Sequence, residues 1–195
     1  MSRIFYIMGK SASGKDTIYK RLLERIPGLK TITPYTTRPI RDGEVNGVEY
    51  FFTTREELEQ FRKDEKLIEE RTYDTIYGPW TYFTVDDGQF DRSGRESYLM
   101  IGTLESYEKT RHHFGSGYLF PIYVEVDDRE RLLRSIERER SQEVPKYKEV
   151  CRRFLADEED FKEENLLRCG IDTRFKNDDL DCCLDEITEQ IKKSL

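Results

Sequence analysis

The stretch Gly9-Lys10-Ser11-Ala12-Ser13-Gly14-Lys15-Asp16-Thr17 decides the fold. The short apolar run Ile4-Phe5-Tyr6-Ile7-Met8 precedes it, and Ile18, Leu22 and Leu23 follow on one helical stripe that stops at Pro27-Gly28. A continuous apolar run of this length reads as a strand buried on both faces, and a 3.6-residue stripe reads as an amphipathic helix. Strand, glycine loop and helix in that order open an α/β domain. The loop has the chemistry of a phosphate cradle. Its glycines let successive backbone N–H groups turn inward, the helix N-terminus adds partial positive charge, and Lys15 reaches the terminal phosphates. Gly9, Ser11, Ala12, Ser13, Gly14, Lys15, Asp16 and Thr17 are therefore the candidate phosphate-binding residues. A strict loop of this kind carries Ser or Thr directly after the lysine as a Mg2+ ligand. Here Asp16 holds that place, with Thr17 next to it. Either Asp16 serves the metal or its water shell, or it caps the helix and faces away.

Two later runs fit the same sheet, Tyr98-Leu99-Met100-Ile101 and Phe120 to Val126, each followed by a helical stretch, about 103–113 and 128–140. Strands alternating with helices imply a parallel sheet with right-handed crossovers, covered on both faces as three layers. Residues 1–33, 95–127 and 154–195 are expected to form this core. The segment 34–94 differs in character: it has Thr and Tyr clusters, the run Tyr50-Phe51-Phe52, an alternating Trp80 to Val85 and one helix near 55–66. It reads as an inserted α+β subdomain with its own small antiparallel sheet. Residues 128–153 hold nine basic and six acidic side chains and read as a helical lid.

Composition limits the partners. The 195 residues are 37% charged and 36% hydrophobic, but 33 basic against 40 acidic residues leave a net charge of only -7, and 12% are aromatic. Disordered chains are poor in aromatics, so this chain folds. An acidic balance argues against a broad nucleic-acid surface. No apolar run approaches the roughly 20 residues that span a bilayer, and Met1 to Lys10 lacks a signal-peptide pattern. Cys151, Cys169, Cys182 and Cys183 have no metal-site spacing and read as reduced thiols, which points to a cytoplasmic setting for a monomer or homodimer.

A second constellation, Thr36-Thr37-Arg38-Pro39-Ile40-Arg41-Asp42-Gly43-Glu44-Val45-Asn46-Gly47-Val48-Glu49-Tyr50, bears on the partner of the phosphate loop. Two arginines three apart on a loop can converge on one phosphate with their forked donors. Glu44 or Glu69, acceptor-only when ionised, can take N–H donors from a base edge. Tyr50 and Tyr77 can close on the phosphate through their hydroxyls.

That pattern after a phosphate loop resembles the acceptor signature of guanylate kinases. Leu67-Ile68-Glu69, Tyr77-Gly78, Arg153-Phe154 and Asn177-Asp178-Asp179-Leu180 resemble further family positions along nearly the whole chain. The resemblance implies a P-loop nucleoside monophosphate kinase that moves the γ-phosphoryl group of ATP to GMP with Mg2+. Arg38, Arg41, Tyr50 and Tyr77 would then hold the GMP phosphate, Glu69 would recognise guanine, and Asn177 would lie beside the adenine of ATP. Asp16 and Thr17 are the metal candidates. Lys15, with Arg138 and Arg153 from a lid that also carries Arg134 and Arg140, would be the catalytic cations.

Three positions depart from the family pattern. Pro34-Tyr35 stands where a serine usually precedes the two threonines, Pro79 replaces a Ser or Thr, and Gly102-Thr103 falls where the family carries Asp-x-Asp. A related kinase with another acceptor, either a different nucleotide or a phosphorylated sugar, and a non-catalytic binding module are the alternatives that these residues leave open.

Overall fold

Ile4, Phe5, Tyr6, Ile7 and Met8 are all buried, and the two-residue period of the strand they form sends them into two different cores. The computed structural model describes residues 2–41, 43–75 and 78–195. Along the chain run β1 (Arg3–Met8), α1 (Lys15–Arg25), β2 (Leu29–Thr31), β3 (Tyr35–Thr36), β4 (Phe51–Phe52) and α2 (Arg55–Lys63). Then come β5 (Leu67–Thr75), β6 (Gly78–Val85), β7 (Ser97–Ile101), α3 (Leu104–Phe114) and β8 (Leu119–Glu125). The last elements are α4 (Asp128–Arg140), α5 (Tyr147–Asp160), α6 (Glu163–Arg168), β9 (Arg174–Lys176) and α7 (Leu180–Ser194).

Five strands, in the order β2-β7-β1-β8-β9, pair in parallel throughout. Ile4, Tyr6 and Met8 pack on one face of this sheet with Leu104, Tyr107 and Phe114 of α3 and Leu166 of α6. Phe5 and Ile7 pack on the other face with Ile18 and Leu22 of α1 and with Cys183, Leu184, Ile187 and Ile191 of α7. The three-layer α/β reading is what the molecule has. In α7 Cys183 is buried in this core, while Cys182 beside it is exposed.

The second sheet is mixed, with the order β4-β3-β6-β5: β5 and β6 form an antiparallel hairpin, β3 runs antiparallel to β6, and β4 lies parallel to β3. Leu58 of α2 closes it over Phe83 and Val85. Helix α2 starts sharply because Thr54 and Glu57 form a reciprocal capping box. The departure at Pro34-Tyr35 has a packing reason. The Tyr35 ring stacks on Phe83 and touches Phe51 and Phe61, and its hydroxyl donates to Asp87 at 2.6 Å. Position 35 therefore belongs to the core of the small sheet.

Two short strands were not legible in the sequence. Leu29–Thr31 and Arg174–Lys176 are only three residues each and form the two edges of the parallel sheet. The charged segment after β8 forms two helices broken around Pro145. The second, α5, runs on past Arg153 to Asp160, so its last turn carries Asp157 and Glu158 back to the phosphate loop.

Candidate active site

The C-terminal ends of β1 and β7 open on one edge of the parallel sheet, where ligands of open α/β folds bind. The phosphate loop leaves β1 there in a conformation that its sequence has to supply. Gly14 lies at φ 86° and Ala12 at φ 61°, both left-handed. A side chain at Gly9 would collide with the Val124 carbonyl at 2.5 Å and with Ser13 Oγ, and one at Gly14 would collide with the Asn177 amide. Ser13 is buried, and its carbonyl accepts a hydrogen bond from Asn177 Nδ2 at 2.8 Å. Asn177 thus clamps the loop from the far side of the sheet edge. Its own backbone N–H donates to the Glu125 carbonyl, and its carbonyl accepts from Arg134 Nη2 at 3.2 Å.

Lys15 and Asp16 open α1. Lys15 Nζ stands 3.6 Å from Asp16 Oδ2, and the Asp16 side chain is 81% exposed. Thr17 is exposed beside it. Among the described residues no three His, Cys, Asp or Glu side chains gather into a metal cage. Mg2+ does not need one, since it is commonly held by one or two carboxylates together with substrate phosphates. A single open carboxylate next to the phosphate loop fits that donor set.

The acceptor loop lies across from α1. Lys20 Nζ is 3.8 Å from Glu49 Oε1, and the Tyr50 hydroxyl is close enough to Asp16 to feel its charge. Arg38 is almost fully buried. Its guanidinium forms a bidentate pair with Glu44 at 2.8 and 3.0 Å, and lies over the rings of Tyr50 and Phe52. Its Nε is buried without a hydrogen-bond partner. Glu44 also accepts from the Arg41 backbone N–H at 2.8 Å, while the Arg41 side chain is exposed. Both oxygens of Glu44 are thereby engaged by Arg38 and the Arg41 backbone. Hydrogen bonds from Arg38 hold the Glu44 carboxyl below its ordinary range, against the opposing effect of burial. Burial raises the Tyr50 hydroxyl to about 12, so it stays a donor at neutral pH. Tyr77, expected beside Tyr50, lies outside the described residues, as does Asp42 of the loop.

Glu69 is sealed. Its side chain has no exposed surface, Oε1 accepts from Thr84 Oγ1 at 2.7 Å, and Oε2 accepts from Arg71 Nε at 3.0 Å. Arg71 reaches on to Thr103 Oγ1 at 2.7 Å, which ties β5 to the start of α3.

Among the lid arginines, Arg138 is exposed, Arg140 stands 3.7 Å from Glu137, and Arg153 pairs with Glu149 at 2.8 Å one helical turn away. None of these three reaches the phosphate loop as the molecule stands. The residue that does organise this region is Arg131, 1% exposed, which pairs with Asp128 at 2.6 Å, Asp157 at 3.5 Å and Glu158, over the Phe154 ring at 4.0 Å. Asp157 Oδ2 also accepts from the Ser11 backbone N–H at 2.8 Å, and Lys10 Nζ pairs with Glu158 at 2.6 Å. The sequence carried no local signal for this hub, because its members lie up to 148 positions apart. Arg71 and Thr103 were missed for the same reason.

The guanylate kinase family model matches residues 1–194. A guanylate kinase from Oceanobacillus iheyensis is 42% identical over 90 residues, 44% of this chain and 44% of that protein. One from Neisseria gonorrhoeae is 40% identical over 85 residues, 44% of this chain and 40% of that protein. The aligned stretch thus spans less than half the length of either curated relative. The crystal structure of guanylate kinase from Anaplasma phagocytophilum superposes with a TM-score of 0.64 over 99% of this chain and 86% of that one, at 19% identity, a likeness of fold. The pairwise likenesses are partial, but the family model runs nearly from end to end, and the chain belongs to the guanylate kinase family.

Proposed function

We propose that this chain transfers the γ-phosphoryl group of ATP to the phosphate of GMP, giving ADP and GDP. One observation carries the reading: α1, which the anion-binding loop with Lys15 opens, touches the second cationic loop, that of Arg38 and Arg41, through Lys20–Glu49. Phosphoryl transfer asks little covalent chemistry of a protein; it needs two anions held in line and positive charge on the migrating group. The phosphate loop that opens α1 and the Lys15 ammonium hold the donor phosphates, beside the Ser11 amide that donates to Asp157. A GMP phosphate oxygen attacks the γ-phosphorus, a new P–O bond forms there, and the bond to the β,γ-bridging oxygen breaks with its electron pair leaving on ADP.

Arg38 already holds a carboxylate, Glu44, in the bidentate geometry that a phosphate would use, and Arg41 and the Tyr50 hydroxyl stand ready on the same loop. Tyr77 completes this set in the family pattern. Glu69 and its neighbours mark the base end. Of the two glutamates that could read a base edge, Glu44 is turned to Arg38, which leaves Glu69 and the groups it holds for the base. Asn177 supports the donor site by fixing the loop. Asp16, with Thr17 beside it, would hold Mg2+, which when bound neutralises charge on the β- and γ-phosphates. Arg138 and Arg153 are the mobile cations of the lid, and closure of α4 and α5 brings them over the transferred group and excludes water.

The extent of the units follows the same reading: a core of 1–33, 95–127 and 154–195, an acceptor subdomain of 34–94 and a lid of 128–153. A cytoplasmic setting is supported by four free thiols, and no described helix is long and apolar enough to cross a membrane. The acidic net charge and the small facing sites fit nucleotide substrates rather than a nucleic acid, for a monomer or homodimer.

A coupled assay of ADP release over GMP, dGMP, AMP, UMP, CMP and a phosphorylated pentose tests the acceptor. Stimulation by GMP above the others is expected. Stimulation only by another acceptor overturns the GMP assignment in favour of a related kinase, and none by any acceptor favours a binding module.

A further inference from the structure

Glu69 cannot meet a ligand as the molecule stands. Its side chain has no exposed surface, and each of its oxygens already accepts a hydrogen bond, from Thr84 and from Arg71. A buried carboxylate needs a partner, and removing one leaves an uncompensated charge that costs several kcal/mol. Arg71 is that partner, and it also covers Glu69. Burial opposes the charge on Arg71, but the Glu69 carboxylate and its hydrogen bond, together with Tyr6 and Tyr73, more than offset it and hold the guanidinium protonated.

Arg71 is fixed at two corners: Nε donates to Glu69, and Nη1 donates to Thr103 Oγ1. The remaining N–H groups of its fork find no acceptor among the described residues, and the side chain is 15% open. Arg71 pairs across the β5–β6 hairpin with Tyr82, whose ring packs on Tyr50, and Tyr50 in turn packs against Arg38. The altered residues around it form one set. A side chain at position 102 would collide with the Tyr6 hydroxyl, so Gly102 is required by Tyr6. Thr103 supplies a neutral acceptor to Arg71 where a carboxylate would have clamped it as an ion pair. Arg71 therefore presents a rigid fork of donors, held at two corners.

We propose that Arg71 is the specificity-determining residue for the acceptor base, donating to the O6 and N7 atoms of a 6-oxopurine nucleotide, with Glu69 a positioning residue that acts through it. An arginine fork matches the O6/N7 edge of guanine in bidentate fashion, whereas adenine offers N7 beside an amino donor that a donor-only fork rejects. Nothing in the fork reads the 2-amino group. The acceptor class is then 6-oxopurine monophosphates, with GMP and IMP used alike. This rests on the reading of the chain as a purine monophosphate kinase.

The test is the kcat/KM series for GMP, IMP, AMP and 2-aminopurine riboside monophosphate with the wild-type chain, which needs no variant to fold. Expected are GMP and IMP within about tenfold of each other, and the two nucleotides lacking O6 about 10- to 100-fold lower. Arg71→Met raises KM for GMP and IMP by a similar factor and leaves KM for ATP unchanged, and Arg71→Lys recovers part of the loss. Glu69→Gln moves GMP and IMP in parallel. The role of Arg71 is overturned if IMP is about 100-fold poorer than GMP and Glu69→Gln closes that gap, since Glu69 then reads the 2-amino group itself. Calorimetry with the same nucleotides separates the two failures. Binding that ignores the 6-oxo group removes Arg71 alone, whereas no binding of any purine monophosphate removes the kinase reading together with it.

Discussion

At the scale of single residues, the two loops make different demands on their side chains. On the proposed reading Lys15 acts by its charge on the transferred group, so Lys15→Met should lower kcat by about 10²- to 10³-fold, on the order of 3–4 kcal/mol of transition-state stabilisation, with little change in melting temperature. Gly14→Ala should act on stability as well as on ATP binding. Its left-handed backbone and the Asn177 amide against it leave no room for a methyl group, at a cost of roughly 1–3 kcal/mol in a thermal melt. Arg38 is a buried cation whose counter-ion in the free molecule is Glu44. Glu44→Gln leaves that cation uncompensated and should lower stability by about 2–4 kcal/mol. A GMP phosphate restores the missing anion, so GMP should raise the melting temperature more in this variant than in the wild type. Equal shifts in the two proteins would show that Arg38 does not exchange Glu44 for phosphate.

The sequence displayed the phosphate loop and the arginine loop because each is contiguous and its chemistry repeats at fixed spacing. It hid the Glu69–Arg71–Thr103 chain, because a β-hairpin and a helix start 32 positions apart have to meet before Arg71 acquires its partner.

At the scale of elements, the lid is the part whose sequence was readable in kind but not in detail. The charge-rich stretch 128–153 reads as a helical lid, and the chain there forms two helices, α4 and α5. The hub that joins them to the phosphate loop was not readable, since Asp157 and Glu158 look like part of an ordinary acidic run. Arg131 holds three carboxylates together, and Arg131→Met should destabilise the fold by about 3 kcal/mol and raise KM for ATP through the Asp157–Ser11 contact. Helix α5 also carries a pH dependence. A hydrogen bond from Arg152, opposed by burial and reinforced by Arg153, lowers the Glu149 carboxyl from 4.5 to about 2. A depressed acid stabilises fully above its ordinary pKa, so this contribution is intact above about pH 4.5 and is lost as pH falls through about 2. Acid unfolding followed by helical circular dichroism should be less steep over that window in Glu149→Gln. An unchanged acid profile would show that the pair is screened at the surface.

At the scale of the whole molecule, a net charge of -7 says little about where phosphates bind. On the proposed reading the cations that matter are local: Lys15 at one loop, Arg38 and Arg41 at the other, and a segment 128–153 richer in basic than acidic residues. Two sheets bring these loops to one edge, and the parallel one was legible because its three central strands are buried on both faces. Its outer strands β2 and β9 are three residues each, too short to impose a period, and they were found only in three dimensions.

The most direct test of the central claim is product identity in a single vessel: the purified chain, MgATP and GMP, with ADP and GDP quantified by chromatography over time. One GDP for each ADP, abolished in Lys15→Met, is the expected result. ADP formed without GDP, or neither product formed, would contradict transfer to GMP.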